Sequence, residues 1–352
     1  MDNKIMLAMS GGVDSAVAAY LVKNSGYDAI GVTLSMFDMS DARFGCLSSS
    51  DAEDAGNVAS RVGIEHFVYK CHKEFEEYVI SNFINEYFKG NTPNPCIVCN
   101  KYIKFGFMLD LAKKIDCSHV ATGHYVKLEE DSNGRFILKK GKDGKKDQSY
   151  VLWSLSQEQL SHSLFPLGAF SKEEVKEISK EIGLMRENKR ESQDICFIPD
   201  GDYASFISRF TSKKFPSGDY IDINGKILGK HSGAIKYTIG QRKGLGISLG
   251  QPMYVCGKDM ARNTVTLGIE KNLFSSSLDA CNINFIPFDS LSSPIRVEAK
   301  VRYSASTAPA TLEQTSEGTF HLEFDSPQRA ITSGQSVVLY DGDCLLGGGI
   351  IK

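Results

Sequence analysis

The chain opens with a continuous apolar run, Ile5-Met6-Leu7-Ala8-Met9, the pattern of a strand buried on both faces. Beyond a short polar turn, Val13, Val17, Tyr20 and Leu21 fall at helical spacing, so the chain passes from strand to helix across Ser10-Gly11-Gly12. The alternation continues. Residues 29–36 are apolar and β-branched, and a helix around 51–62 places Ala55, Val58, Ala59 and Val62 on one face. Residues 66–69 read as a third strand. Residues 74–88 read as a long helix with Phe75, Val79, Phe83 and Tyr87 on one stripe, 103–115 as another helix, and 119–122 as a fourth short strand. Ser171 followed by Glu174 makes a capping box for a helix running through Ile182. This alternation predicts an α/β fold with a doubly wound parallel sheet, whose ligands bind beyond the carboxyl ends of the strands. The Ser10–Ser15 turn and Gly123-His124 both fall at that edge.

Beyond about Pro199 the period changes. Tyr220-Ile221-Asp222-Ile223, Asn224-Gly225 and Lys226-Ile227-Leu228 read as a hairpin with a type I′ turn. Residues 253–255 and 264–267 suggest a second hairpin. Ile295, Val297, Ala299, Val301 and Tyr303 alternate with polar residues, as do Phe320, Leu322 and Phe324. Residues 337–340, Asp341-Gly342 and residues 344–346 close with a further hairpin signal. Regular short strands predict a C-terminal β-barrel. The texture therefore divides the chain into an α/β domain (1–199), a small central β-rich domain (200–276) and a C-terminal β-barrel (277–352).

Composition narrows the class. A chain of 352 residues with 41% hydrophobic and 24% charged residues is an ordinary globular protein of two or three domains. No apolar run reaches the length of a membrane span, and the N-terminus lacks the layout of a signal peptide. With nine cysteines and no secretion signal, a cytoplasmic protein with reduced thiols in chemical or metal-binding roles is expected. A net charge of −3 does not announce a nucleic-acid binder. Two local basic runs stand out, Lys139, Lys140, Lys142, Lys145 and Lys146, then Arg186, Lys189 and Arg190. Either run taken alone reads as a solvated loop.

Three segments carry candidate chemistry. In Ser10-Gly11-Gly12-Val13-Asp14-Ser15, two glycines let the backbone approach a ligand closely, and the helix start directs N–H groups and positive dipole at one point. The serines add hydroxyl donors. No lysine follows, so this is not the usual P-loop. A bare strand–helix turn needs none of this combination, which resembles the Ser-Gly-Gly-x-Asp-Ser loop of the ATP pyrophosphatases. The second segment is Asn94-Pro95-Cys96-Ile97-Val98-Cys99-Asn100, where Pro93 and Pro95 are expected to hold both cysteines in a loop ahead of the 103–115 helix. Alone it is half a zinc site, a thiol–disulfide motif or a pair of inert thiols. The third is Ser192-Gln193-Asp194-Ile195-Cys196-Phe197-Ile198. The charged residues 186–191 before it are expected to lower the Cys196 pKa, although a buried structural cysteine is the plainer reading.

SGGVDS (10–15), NPCIVCN (94–100), ATGHY (121–125), KDQSY (146–150), ESQDICFI (191–198) and YTIGQRKGLGI (237–247), in this order, resemble the bacterial tRNA 2-thiouridylases. These enzymes replace O2 of the wobble uridine with sulfur. The resemblance covers essentially the whole chain. It implies an N-terminal ATP pyrophosphatase domain, a central β domain and a C-terminal β-barrel. It gives the ATP phosphates to Ala8, Met9, Ser10, Gly11, Gly12, Val13, Asp14 and Ser15, with Asp14 placing Mg²⁺. Leu34, where the family often has methionine, and Gly123 would line adenine and ribose. Cys196 matches the cysteine that carries sulfur as a persulfide, and Cys99 the partner that assists the attack and then closes a disulfide with it.

Cys96 falls where members of the family can have aspartate, and is not made catalytic. Convergence of Cys96, Cys99 and Cys196 on an iron–sulfur cluster is kept as the less favoured alternative. Asn94, Pro95 and Cys96 would receive the flipped base, and Lys146, Asp147, Gln148, Arg302, Tyr303, Gln335 and His124 would contact tRNA around its anticodon. Without the family, Arg302-Tyr303 reads equally as a strand edge. The implied partners are tRNA and a persulfide-donating relay protein or cysteine desulfurase, with no membrane. Two other classes compete. An ATP-dependent amide synthase or ligase leaves Cys99 and Cys196 idle, and an RNA- or metal-binding module leaves the Ser10–Ser15 loop unexplained.

Overall fold

The computed structural model describes residues 4–38, 40–44, 50–184 and 195–352. Within them a five-stranded, wholly parallel sheet has the order β3–β2–β1–β4–β7. Its strands are β1 (Lys4–Ala8), β2 (Asp28–Ser35), β3 (Glu65–Lys70), β4 (His119–Ala121) and β7 (Ser163–Leu164). The period of two in β1 explains the layering. Met6 packs with Ile30, Val32, Val120, Phe105 and Met108 on one face, while Ile5 and Leu7 pack with Ala19, Val22, Ala55 and Ala59 on the other. Helices α1 (Val13–Asn24) and α2 (Ser50–Val62) supply that second layer. β2 lies on one side of β1 and β4 on the other, so the strand order reverses at β1, where an open α/β sheet leaves its ligand crevice.

The loop expected around Cys96 and Cys99 is instead the first turn of a helical stretch over residues 95–114. The Asn94 side chain accepts the Cys96 N–H at 3.1 Å, and Pro95 occupies the first helical position. The proline read as holding the chain extended therefore starts a helix, because its missing N–H costs nothing there. Asn100–Phe107 is wound as a π-helix before ordinary α-helix resumes at Met108–Lys114. The helix over 72–88 has a similar wide segment at Phe75–Ile80.

The central sheet has the order β10–β11–β8–β9, from β8 (Gly218–Asp222), β9 (Ile227–His231), β10 (Tyr254–Asp259) and β11 (Thr264–Gly268). Both expected hairpins are present, but the first turn is not type I′, because only Gly225 has a positive φ, of 85°. Asp222 Oδ1 accepts the N–H groups of Asn224 and Lys226, so the aspartate side chain closes a longer loop. At the C-terminus β12 (Phe274–Phe285), β15 (Thr319–Arg329), β14 (Ala308–Ser316), β13 (Ile295–Lys300), β16 (Ser336–Asp341) and β17 (Cys344–Ile351) pair in that order. β12 closes on β17, giving an antiparallel barrel. Residue 276, the expected boundary, lies inside β12. A hairpin of β5 (Val126–Glu130) and β6 (Phe136–Lys140) leaves the α/β unit and joins the barrel sheet at Lys139↔Cys344. Among the described residues no helix is long and apolar enough to cross a membrane.

Candidate active site

The loop after β1 is built to present backbone donors. Gly11 adopts a left-handed φ of 68°, and Gly12 begins α1 without any side-chain cap, so the first amides of the helix are left for a ligand. Two serines tie the loop closed. Ser15 Oγ donates to the Gly12 carbonyl at 2.9 Å and accepts the Ser10 N–H at 3.2 Å, and Ser10 Oγ lies 3.3 Å from it. Thr33 Oγ1 donates to the Met9 carbonyl at 2.8 Å, fixing the end of β1 against β2. Half-buried Ala8 ends β1, half-buried Val13 opens α1, and Leu34 near the end of β2 packs toward both cores beside the sheet. Gly123, after β4, is required by proximity: a Cβ there would lie 3.0 Å from the Asp14 carbonyl carbon and 3.1 Å from the Ser15 nitrogen.

Asp14 is not idle in the first turn of α1. Both of its oxygens accept from Lys172 Nζ, at 2.8 and 2.9 Å, and Oδ1 also accepts from the Tyr125 hydroxyl at 2.6 Å. A lone carboxylate beside substrate phosphates is a donor set that Mg²⁺ accepts, but here the ion would share Asp14 with an ammonium. Among the described residues no group of three His, Cys, Asp or Glu side chains is arranged to hold a metal ion.

The helical start at Pro95 puts Cys96 and Cys99 one turn apart. Cys99 is buried, 8% exposed, in a cluster with Cys71, Ile103, Phe197 and Ile198. Cys196 is accessible, but its segment is pinned by Phe197, whose ring meets Phe75 at 5.6 Å and Phe83 at 5.5 Å. Burial pushes the Cys99 thiol up to about 11 and the Cys196 thiol up to about 12, with a further rise on Cys196 from Cys99 and Cys96. Cys96 thus acts on Cys99, and both act on Cys196, so the three thiols lie within electrostatic reach of one another. The expected lowering of the Cys196 pKa is not seen. Its proposed source, Arg186, Lys189 and Arg190, lies outside the described residues, as do Ser192, Gln193 and Asp194. The cation that does favour the thiolates is Lys104, which lowers Cys96, Cys99 and Cys196 alike against the dominant effect of burial. Lys104 follows Cys99 by one wide turn of the π-helix.

Several residues expected at RNA have internal duties. His124 is buried, held neutral by that burial and then by Lys104, with Nδ1 2.7 Å from Thr122 Oγ1. Its ring lies between Phe105 and Phe165 and does not stand on an open surface. Asp147 accepts the Gly141 N–H at 3.1 Å and the Ser149 hydroxyl at 2.7 Å, and Gln148 accepts the Tyr125 N–H at 3.0 Å. Lys146 donates its backbone N–H to the Asp143 carbonyl in the same turn. Arg302 is turned inward, donating to the carbonyls of Ala330 and Ile239 and to Thr332 Oγ1, which joins the barrel to the central domain. Gln335 donates to the Thr92 carbonyl at 2.5 Å, fixing the approach to Asn94-Pro95. Tyr303 is 45% exposed beside Tyr150, near enough to Asp147 and Cys96 to feel their charges. In the basic run, Lys139 pairs with Glu129, Lys142 with Glu174, and Lys140 donates to the Gly342 carbonyl.

Residues 3–200 match the family described as the tRNA methyl transferase HUP domain. Residues 204–269 match the tRNA methyl transferase PRC-barrel domain, and 275–351 the aminomethyltransferase β-barrel domain. The tRNA-specific 2-thiouridylase MnmA of Clostridioides difficile is 51% identical over 356 residues, spanning 100% of this chain and 99% of its own. The chain belongs to the tRNA-specific 2-thiouridylase family. Its likeness to the Clostridium acetobutylicum member is 48% over 356 residues, covering 100% of both chains. The likeness to a Thermoanaerobacter sp. (strain X514) member is also 48%, over 357 residues, covering 100% of this chain and 98% of that one. For a 2-thiouridylase, the sequence reading missed Lys172, Tyr125 and Lys104. Lys172 is 158 residues from Asp14 and looks like any lysine at a helix start. Lys104 sits five positions after Cys99, a spacing that an ordinary helix puts on different faces.

Proposed function

We propose that this chain is a tRNA-uridine 2-sulfurtransferase of the cytoplasm, using ATP to activate O2 of the wobble uridine and a persulfide on Cys196 to replace it. The observation that carries the reading is continuity along one sheet edge. Gly123 lies against the start of α1, His124 follows it, and Lys104 acts on His124 and on the thiols of Cys96, Cys99 and Cys196. This supports activation and sulfur transfer at neighbouring places.

In the proposed sequence the flipped base is received by Asn94, Pro95 and Cys96, beneath Tyr303. O2 attacks the α-phosphate held by residues 8–15, pyrophosphate leaves, and the carbonyl oxygen becomes part of an AMP leaving group. The terminal sulfur of the Cys196 persulfide attacks C2 and AMP departs. The Cys99 thiolate then attacks the Cys196 sulfur, breaking the S–S bond to leave 2-thiouridine and a Cys99–Cys196 disulfide. An external dithiol reduces that disulfide, and a persulfide-donating protein reloads Cys196. Leu34 and Gly123 border the nucleoside of ATP, and Asp14 with Lys172 is the charged pair beside its phosphates. When bound, Mg²⁺ supplies charge neutralisation of the leaving pyrophosphate. The test combines the protein with ATP, uridine-containing tRNA and a persulfide donor. Pyrophosphate together with thiolated tRNA supports the reading. Pyrophosphate only with a small-molecule acceptor favours a ligase, and neither product favours a binding module.

A further inference from the structure

We infer that Lys172 is a positioning residue for nucleotide activation, pinning the Asp14 carboxylate and cancelling its charge at the mouth of the phosphate loop. The inference rests on the proposed ATP site. A loop that must accept a polyphosphate carries a carboxylate in its own first helical turn and no lysine after it. Unopposed, that carboxylate would repel the ligand. The fold solves this from a distance. The Lys172–Glu181 helix is started by a reciprocal Ser171–Glu174 capping box, and Val175 and Ile178 pack against Val17 and Ala18 of α1. This packing brings the first residue of one helix to the first turn of the other.

The resulting contact is specific. Lys172 is only 7% exposed while Asp14 remains 35% exposed, so the ammonium is buried beneath a carboxylate that faces outward. Both Asp14 oxygens are engaged by Nζ, and the Tyr125 hydroxyl fixes Oδ1 from the side. Tyr125 is itself buried and anchored through its backbone to Gln148, so the carboxylate has one orientation. A carboxylate with its ammonium removed leaves an uncompensated charge where the pair stood. With the pair intact, the uncapped N-terminus of α1 and a charge-balanced acid face the phosphates.

The test measures metal-free ATP binding by equilibrium dialysis in EDTA, with thermal melting to establish folding. Wild type should bind; failure to bind metal-free ATP overturns this inference, and failure to bind with Mg²⁺ added as well overturns the ATP site on which it rests. Lys172→Met should bind at least tenfold more weakly, Lys172→Arg should stay within about threefold of wild type, and Lys172→Met with Asp14→Asn should recover most of the loss. If Lys172→Met does not fold, Asp14→Asn alone decides: it should bind metal-free ATP at least as tightly as wild type. Wild-type affinity in folded Lys172→Met, no recovery in the double variant, or a tenfold loss in Asp14→Asn each overturns the inference.

Discussion

Gly123→Ala isolates the contact between the end of β4 and the phosphate loop. The added methyl would lie 3.0 Å from the Asp14 carbonyl carbon, 3.1 Å from the Ser15 nitrogen and 3.2 Å from the Asp14 oxygen. All three neighbours are backbone of the first turn of α1, which cannot turn aside as a side chain would. Ser15 is also tied to Gly12 and Ser10, so the strain passes into the loop. Overpacking of this kind costs about 1–3 kcal/mol. At about 2–4 °C per kcal/mol for a unit of 150–250 residues, melting should fall by roughly 2–12 °C. ATP affinity should fall about tenfold, since the amides and Asp14 move together. Gly144→Ala is the control, because a Cβ there meets nothing within 4 Å. Calorimetric melting and ATP titration, compared across both variants, give the answer. A Gly123→Ala protein with unchanged melting and unchanged ATP affinity would refute the packing argument.

Asp14→Ala should abolish pyrophosphate release in a folded protein while leaving tRNA affinity near wild type; equal loss of tRNA binding counts against placing Asp14 at the phosphates. Because burial raises Cys99 to about 11, folding favours its protonated form, a contribution present below pH 9 and lost as pH rises toward 11. Alkylation of Cys99 should therefore climb about tenfold per unit between pH 7 and 9 without a plateau, and a plateau near neutrality would contradict the burial argument. Lys104→Met should slow alkylation at all three site cysteines at pH 8.5, and faster alkylation would remove Lys104 from its role. Cys96→Ser should keep substantial thiolation; an inactive variant that had also lost iron and brown colour would replace the two-cysteine mechanism with a cluster.

The centre of the parallel sheet was legible because β1 is a continuous apolar run, and Ile5-Met6-Leu7 is buried on both faces as such a run requires. The capping box at Ser171 was equally plain, and both of its hydrogen bonds are made. The Cys96–Cys99 turn was misread because Pro95 has two uses, extending the chain before it or starting a helix, and the Asn94 cap decides between them. β12 escaped notice because Phe274-Ser275-Ser276-Ser277 is polar at its start, where it lies exposed on the barrel. The Ser10–Ser15 loop and the cysteines Cys99 and Cys196 were visible as motifs. Lys172 and Lys104 were not, since one reaches its partner through helix packing and the other through π-winding. Arg302 and His124 show the converse: a residue type suited to RNA says nothing about which way it faces.

The most direct test follows pyrophosphate and nucleosides in one reaction of the wild-type protein and Cys196→Ser with ATP, uridine-containing tRNA and a persulfide donor. Mass spectrometry of the digested tRNA should find 2-thiouridine with wild type alone, while both proteins release pyrophosphate. Thiolated tRNA from Cys196→Ser, or none from wild type loaded with persulfide and releasing pyrophosphate, would contradict the account.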